Sequence, residues 1–157
     1  MDISFNVEDY RLNIRSAVII IHNNKILLHR DIRKKQYNLP GGRVEIGEDS
    51  KTTVIREIKE ELGKDIILNG YAATIENFFI MDNRKNHEIM FIHFGEFKDK
   101  NDRQIENTLK NVEGKDYLIY EWIDISKIDE YNLLPTVAKE IIKENKYPTY
   151  KLLNEIN

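Results

Sequence analysis

A chain of 157 residues accommodates one domain with one core, and 41% apolar against 32% charged residues is the balance of a soluble globular protein. The absence of cysteine excludes disulfides and thiolate metal sites and fits a reducing cytoplasm. Twenty-four basic against 27 acidic residues leave a formal charge of −3, without the basic excess a nucleic-acid binder needs to neutralise phosphates; a small charged substrate held through metal ions suits it better.

The N-terminal stretch MDISFNVEDYRLN is acidic and polar, unlike a signal peptide. The longest purely aliphatic run, Ala17 to Ile21, is far short of a membrane span. These features predict a complete cytoplasmic chain without a membrane segment, folded as a single domain over 1–157. Asn13 to His22 and Lys25 to Arg30 are strand-like, with Asn23-Asn24 between them as a two-residue hairpin turn. Asp31 to Gln36 reads as a polar loop, and Leu39-Pro40-Gly41-Gly42 as a tight, irregular turn. A helix follows, capped by Asp49 or Ser50 and ended by Gly63 in a left-handed conformation.

Beyond it, Ile66 to Leu68, Tyr71 to Ile80 and Glu88 to Phe97 are predicted strands, with Asp82 to Asn86 as a hairpin loop. Lys98 to Lys115 is polar, with a short helix expected around Ile105 to Leu109. Tyr117 to Asp124 is strand-like. Leu134, Val137, Ile141 and Ile142 have the spacing of an amphipathic helix over 134–145, and the lysines from Lys139 to Lys151 are spaced like a solvated helix face. Dominant strands with two well-separated helices give an α/β or α+β sandwich.

The stretch GRVEIGEDSKTTVIREIKEELG, Gly42 to Gly63, carries the chemistry. On a helix, Glu57, Glu60 and Glu61 are related by steps of three and four and share one face. Val54, Ile55, Ile58 and Leu62 fall on a neighbouring face, so the helix can bury one stripe and present three carboxylates on another. Arg56 lies beside the carboxylates, within reach of an acid such as Glu48. Close carboxylates repel unless a cation joins them, and hard divalent ions take oxygen ligands while sharing phosphate and water. The glycine turn offers carbonyls to a metal and amides to a phosphate. A glutamate pair on a helix is usually a solvated face; the whole arrangement is what distinguishes this one.

The arrangement resembles the Nudix box, over 42–64. Gly42, Glu48, Arg56, Glu57, Ile58, Glu60, Glu61 and Gly63 stand at that motif's spacings. At residue frequencies of about 7%, seven fixed positions coincide roughly once in 10⁸ placements. Leu39-Pro40-Gly41 also looks like the family's approach to its box. Lys64 departs from the family's aliphatic residue, at a position that packs the helix end and is not a ligand.

The resemblance implies a Nudix-type α/β/α sandwich with a mixed sheet. It also implies hydrolysis of a diphosphate linkage in a nucleotide-like small molecule, with magnesium, or manganese in its place, as cofactor. Glu57, Glu60 and Glu61 would be the metal ligands, helped by the Gly41 carbonyl. Arg56 would pair with Glu48, which would also reach a metal-bound water. The family often recruits an acid outside its box to accept the proton; Glu113 is the first candidate, ahead of Glu88 and Glu121.

Family subgroups acting on ADP-ribose and on dinucleoside polyphosphates are marked by a proline or a tyrosine downstream; Phe79 to Asp82 carry neither. A nucleoside triphosphate, ribo or deoxy, is therefore the first substrate expected, ahead of nucleotide sugars and RNA 5′ ends. A domain that senses nucleotide without cleaving it would have lost box carboxylates, and all are kept. Family members often form homodimers. Phe78, Phe79, Phe91, Phe94, Tyr120 and Trp122 read mainly as core, and Asn132 as a turn or cap residue rather than a base reader. His22, His29, His87 and His93 lack metal-ligand spacing.

Overall fold

In the computed structural model, which describes residues 1–103 and 108–156, the strand that organises the sheet is the aliphatic run near the N-terminus. Strand β1 (Ser4–Val7) pairs antiparallel with β2 (Tyr10–His22). Asn23 and Asn24, both at positive φ (48° and 60°), turn the chain into β3 (Lys25–Asp31), the hairpin the Asn-Asn pair predicts. Only two residue pairs of β2 and β3 stay in register, Ile21↔Ile26 and His22↔Lys25, before the strands part. β3 then runs antiparallel to β4 (Tyr37–Asn38) and β9 (Leu118–Asp124). β2 instead takes up β5 (Gly41–Arg43) and, in parallel, β7 (Arg84–Phe97). The divergence opens a split in the sheet, and helix α1 (Ser50–Leu62) lies beside it.

β6 (Ile66–Met81) and β7 form the longest ladder. The two runs expected on either side of Asn69-Gly70 are one strand with register shifts at Leu68/Gly70 and Tyr71/Ala73. The expected loop Asp82 to Asn86 contracts to Asp82-Asn83, both at positive φ, and β7 already begins at Arg84. Of the helix expected at Ile105 to Leu109, residues 105–107 lie outside the described residues, whereas Thr108 and Leu109 belong to β8 (Thr108–Lys110), paired with β9.

The second helix, α2 (Ala138–Lys143), is shorter than 134–145. Leu134 is in β10 (Leu133–Leu134), parallel to β4, because a residue before proline is driven out of the helical region. The lysines from 139 to 151 do not share one helix: Lys151 lies in β11 (Thr149–Asn154), parallel to β6 at the sheet edge, and reaches back to Glu144 at 2.6 Å.

The mixed sheet separates two cores. On one face Ala17, Ile19, Ile26, Leu28, Ile75, Met90 and Ile92 pack against Val137, Ala138 and Ile141. On the other, Val18, Ile20, Leu27, Tyr120 and Trp122 pack against Val54, Ile58 and Leu62 of α1. This is the expected α/β/α sandwich. Ile55, assigned above to the apolar stripe, is 39% exposed, and Thr53 is buried in its stead. Among the described residues, no helix is long and apolar enough to cross a membrane.

Candidate active site at the sheet split

Helix α1 is fixed at both ends. The Asp49 carboxylate accepts from the Thr52 N–H at 2.7 Å, and Gly63, at φ 69°, donates its N–H to the Lys59 carbonyl. Lys64, the departure from the motif, pairs with Asp102 at 2.6 Å, and Ile66 supplies the apolar contact to the core.

Arg56 gathers the acids in front of the helix. Its Nε and Nη2 donate to the two oxygens of Glu48, each at 2.8 Å, a bidentate fork. Nη1 donates to Glu57 at 2.9 Å and Glu60 at 3.2 Å, and Nη2 reaches the Arg43 carbonyl at 3.3 Å. The Arg56–Glu48 pairing is therefore present as expected. Chiefly through the Arg56 hydrogen bond, with help from the Thr53 hydroxyl at 2.6 Å, the Glu48 carboxyl is held down at about 2.

Glu57 and Glu61 have the opposite environment. Burial raises the pKa of both, that of Glu61 to about 7, and in Glu61 the charges of Glu57 and Glu113 push the same way. The Tyr120 hydroxyl donates to Glu61, and this bond opposes the shift. Since Tyr120 faces His29 across the β9–β3 ladder, the carboxylate row of α1 reaches both halves of the split sheet.

Two glycines let the loop approach. A Cβ on Gly42 would lie 2.2 Å from the Glu57 carboxyl carbon, so the carboxylate sits directly over that residue. A Cβ on Gly41 would strike the Ser16 carbonyl at 2.1 Å. Val44 donates to Ile14, and Pro40 accepts from Val18, so the alternation of an antiparallel ladder turns the Gly41 and Arg43 carbonyls away from β2. Gly42→Ala is expected to lower turnover at least tenfold while moving the urea midpoint little, because the clash falls on a flexible side chain. Gly41→Ala meets backbone instead, and its midpoint should drop markedly.

Glu113 lies on the loop after β8. Val112 donates its N–H to the Glu61 carbonyl at 2.8 Å, and Asn111 Oδ1 accepts from the Glu113 N–H at 2.7 Å, which keeps Glu113 within electrostatic range of Glu61. Glu121 is committed elsewhere: Arg30 and the Tyr37 hydroxyl both donate to it. Glu88 is buried on β7 against Asn13. Asn132 donates to the Lys35 carbonyl, a turn role.

Arg15, Tyr120 and His29 were not singled out for this site by the sequence. The Arg15 side chain makes no ion pair or hydrogen bond among the described residues, yet its charge acts on Glu57, Glu61 and His29. Burial, then Arg15, lowers His29 to about 4, so that ring is neutral at pH 7. An arginine two positions before the aliphatic run of β2 was the legible signal for the first. Tyr120 and His29 gave none, since their proximity depends on a ladder joining distant segments.

Among the described residues no three acidic or histidine side chains converge closely enough to enclose an ion as they stand; Arg56 and Tyr120 hold the carboxylates in bonds of their own. The donor set nevertheless fits a hard divalent cation: carboxylate oxygens and an outward carbonyl, with two acids whose charged forms are disfavoured by burial.

Known proteins share the sequence pattern and the fold of this chain. A family model described as the NUDIX domain matches residues 12–144. An ADP-ribose pyrophosphatase of Methanocaldococcus jannaschii is 44% identical over 68 residues, 37% of this chain and 38% of that protein, so the match spans well under half of the relative's length. Among solved structures, a NUDIX hydrolase from Nitrosomonas europaea superposes with a TM-score of 0.63 at 16% identity, covering 90% of this chain and 79% of the other. A MutT NUDIX hydrolase from Burkholderia pseudomallei does so at 0.61 and 20% identity, covering 86% and 98%. The structures speak for the fold alone; with the family match across most of the sequence, the chain belongs to the NUDIX domain family.

Proposed function

We propose that this protein is a magnesium-dependent hydrolase that cleaves a diphosphate linkage in a nucleoside diphosphate derivative, with a nucleoside triphosphate, ribo or deoxy, as the leading substrate. The observation that carries the reading is the gathering of Glu48, Glu57 and Glu60 around Arg56 at the sheet split, with Glu61 held by the Tyr120 hydroxyl and in electrostatic range of Glu57 and Glu113. Glu57, Glu60, Glu61 and the Gly41 carbonyl would hold the ion, and manganese suits the same oxygens. Bound there, the ion would supply positive charge to phosphate oxygens and would make a nearby water more acidic.

The remaining steps belong to the chain. Water attacks one phosphorus, the bridging P–O bond breaks, and the water's proton passes to a carboxylate. Glu113 is the acid proposed for that transfer, and Glu61, raised to about 7, stands beside it. Arg56 holds Glu48, Glu57 and Glu60 in register, and Arg15 offers a free guanidinium to a substrate phosphate. Arg15→Ala should raise KM roughly tenfold with a smaller effect on kcat, measured by steady-state kinetics. We place this activity in the cytoplasm, in a single domain, with a homodimer as the assembled form to test by light scattering.

A second reading, ADP-ribose as substrate, is favoured by the relative named as an ADP-ribose pyrophosphatase. A turnover screen with magnesium over nucleoside triphosphates, nucleotide sugars, ADP-ribose and dinucleoside polyphosphates decides between them, with Glu60→Gln as control. A hit lost in the control supports hydrolysis and names the substrate. Nucleotide binding without turnover of any compound would point instead to a sensing module.

A further inference from the structure

A second polar group lies on the α2-side face of the sheet. Asn13 of β2, Glu88 of β7 and Asn77 of β6 are register partners and form one row across three neighbouring strands. They are buried, at 8%, 7% and 6% exposure. Asn13 Nδ2 donates to Glu88 Oε2 at 2.6 Å, which leaves Asn13 Oδ1 as a buried acceptor with no partner among the described residues. Asn77 Oδ1 is likewise buried and has no partner among them. Glu88 pairs with no cation among the described residues.

A purely structural Asn–Glu contact does not account for this row. A buried carboxylate is ordinarily paired, and unpaired buried acceptors are costly. Asn13 spends a donor on Glu88, and what the row keeps unsatisfied among the described residues is acceptors, the amide oxygens of Asn13 and Asn77, beside a carboxylate without a cation. Arg15 is two residues from Asn13 on the same strand face, roughly 7 Å along β2, and its charge acts on Glu57 and Glu61. From the carboxylates of α1 the order is thus a free guanidinium, then a row of acceptors. It matches the order of a nucleotide lying outward from its phosphates.

We propose that Asn13, Glu88 and Asn77 read the base of the substrate, and that the base they select is a 2-amino-6-oxopurine, a guanine. The assignment rests on the diphosphate hydrolase reading above. Guanine alone among the common bases presents adjacent N–H donors on its Watson–Crick edge, at N1 and N2, which a carboxylate accepts as a pair. Adenine and cytosine place a ring acceptor beside their amino group. Uracil and thymine flank one N–H with two carbonyls. Each would set an acceptor against Glu88 or an Asn oxygen, and unpaired buried polar groups are what make such sites selective.

Calorimetric binding of GDP, IDP, ADP and UDP tests the assignment, with turnover of the matching triphosphates measured in parallel. IDP keeps N1–H and lacks the 2-amino group, so the wild-type protein answers the question without any variant. GDP is expected to bind roughly tenfold to a hundredfold more tightly than IDP, with ADP and UDP weaker still. Glu88→Gln, which replaces one acceptor by an amide donor, should bring the GDP to IDP ratio close to one. Asn77→Ala, a milder change, should reduce it.

Equal affinity for GDP and IDP, preference for ADP, or a ratio unmoved in a folded Glu88→Gln protein overturns the inference. Guanine-selective binding without cleavage would sink the hydrolase reading and spare this one. Cleavage indifferent to the base would do the reverse.

Discussion

Glu61→Gln is expected to lower turnover by roughly 10²–10³-fold, the range found when one preorganised electrostatic group is removed from an active site, without lowering the thermal midpoint at pH 8. The two halves of this expectation have one cause. Glu61 is desolvated, lies near the charges of Glu57 and Glu113, and has its pKa raised to about 7. In the metal-free protein its folded pKa exceeds the unfolded value of 4.5, so the native state binds the extra proton between those pH values.

Stability from this group is therefore fully present below pH 4.5 and falls as pH rises through 7. Ionisation then costs the fold up to about 3 kcal/mol. Glutamine keeps the shape and can still accept from Tyr120, but it carries no charge. The variant should lose the decline in stability between pH 5 and pH 8 that Glu61 causes in the wild type. Urea titrations at the two pH values, alongside kcat with saturating magnesium, check both statements. A variant with wild-type turnover would remove Glu61 from the site. Glu60→Gln should impair turnover similarly.

Local spacing made the carboxylate face, both ends of α1 and the Asn23-Asn24 turn readable, because each depends on residues a few positions apart. The same holds for Arg56 with Glu48, eight residues distant but joined through one helix start. What the sequence concealed depends on strand pairing across long separations. Tyr120 reaches Glu61 over 59 positions, and Asn13 meets Glu88 over 75. The end of the chain failed for a different reason. The 3.6-residue spacing of Leu134, Val137, Ile141 and Ile142 is real, yet Pro135 forbids a helix at Leu134 and the β6 edge draws Thr149–Asn154 into a strand. Ile55 fell on the apolar side of the wheel, but Thr53 was buried because its hydroxyl serves Glu48.

Arg56→Ala is expected to destabilise the metal-free protein by about 3 kcal/mol, near the lower end of the loss caused by removing one partner from a buried charge network. Arg56 donates to Glu48, Glu57, Glu60 and the Arg43 carbonyl, and three of these acceptors are carboxylates. Without it Glu48 and Glu57, both largely shielded from water, lose their hydrogen-bonded counter-charge. Arg56→Lys should recover only part of the loss, because an ammonium cannot reproduce the two-oxygen fork on Glu48.

The pH response separates this mechanism from simple loss of packing. In the wild type Glu48 is held at about 2, below its unfolded value of 4.5. Its stabilisation is present above pH 4.5 and disappears as pH falls through 2. In Arg56→Ala the cause of the depression is gone, so the penalty relative to wild type should shrink as the solution is acidified from pH 7 toward pH 3. Millimolar magnesium should restore the variant more than the wild type, since a divalent ion can replace the missing positive charge between Glu57 and Glu60. Urea midpoints at pH 7 and pH 3, and at pH 7 with and without magnesium, supply the comparison. A penalty indifferent to both pH and magnesium would mean that Arg56 acts through its packing, and that the acids around it are not a cation site held in reserve.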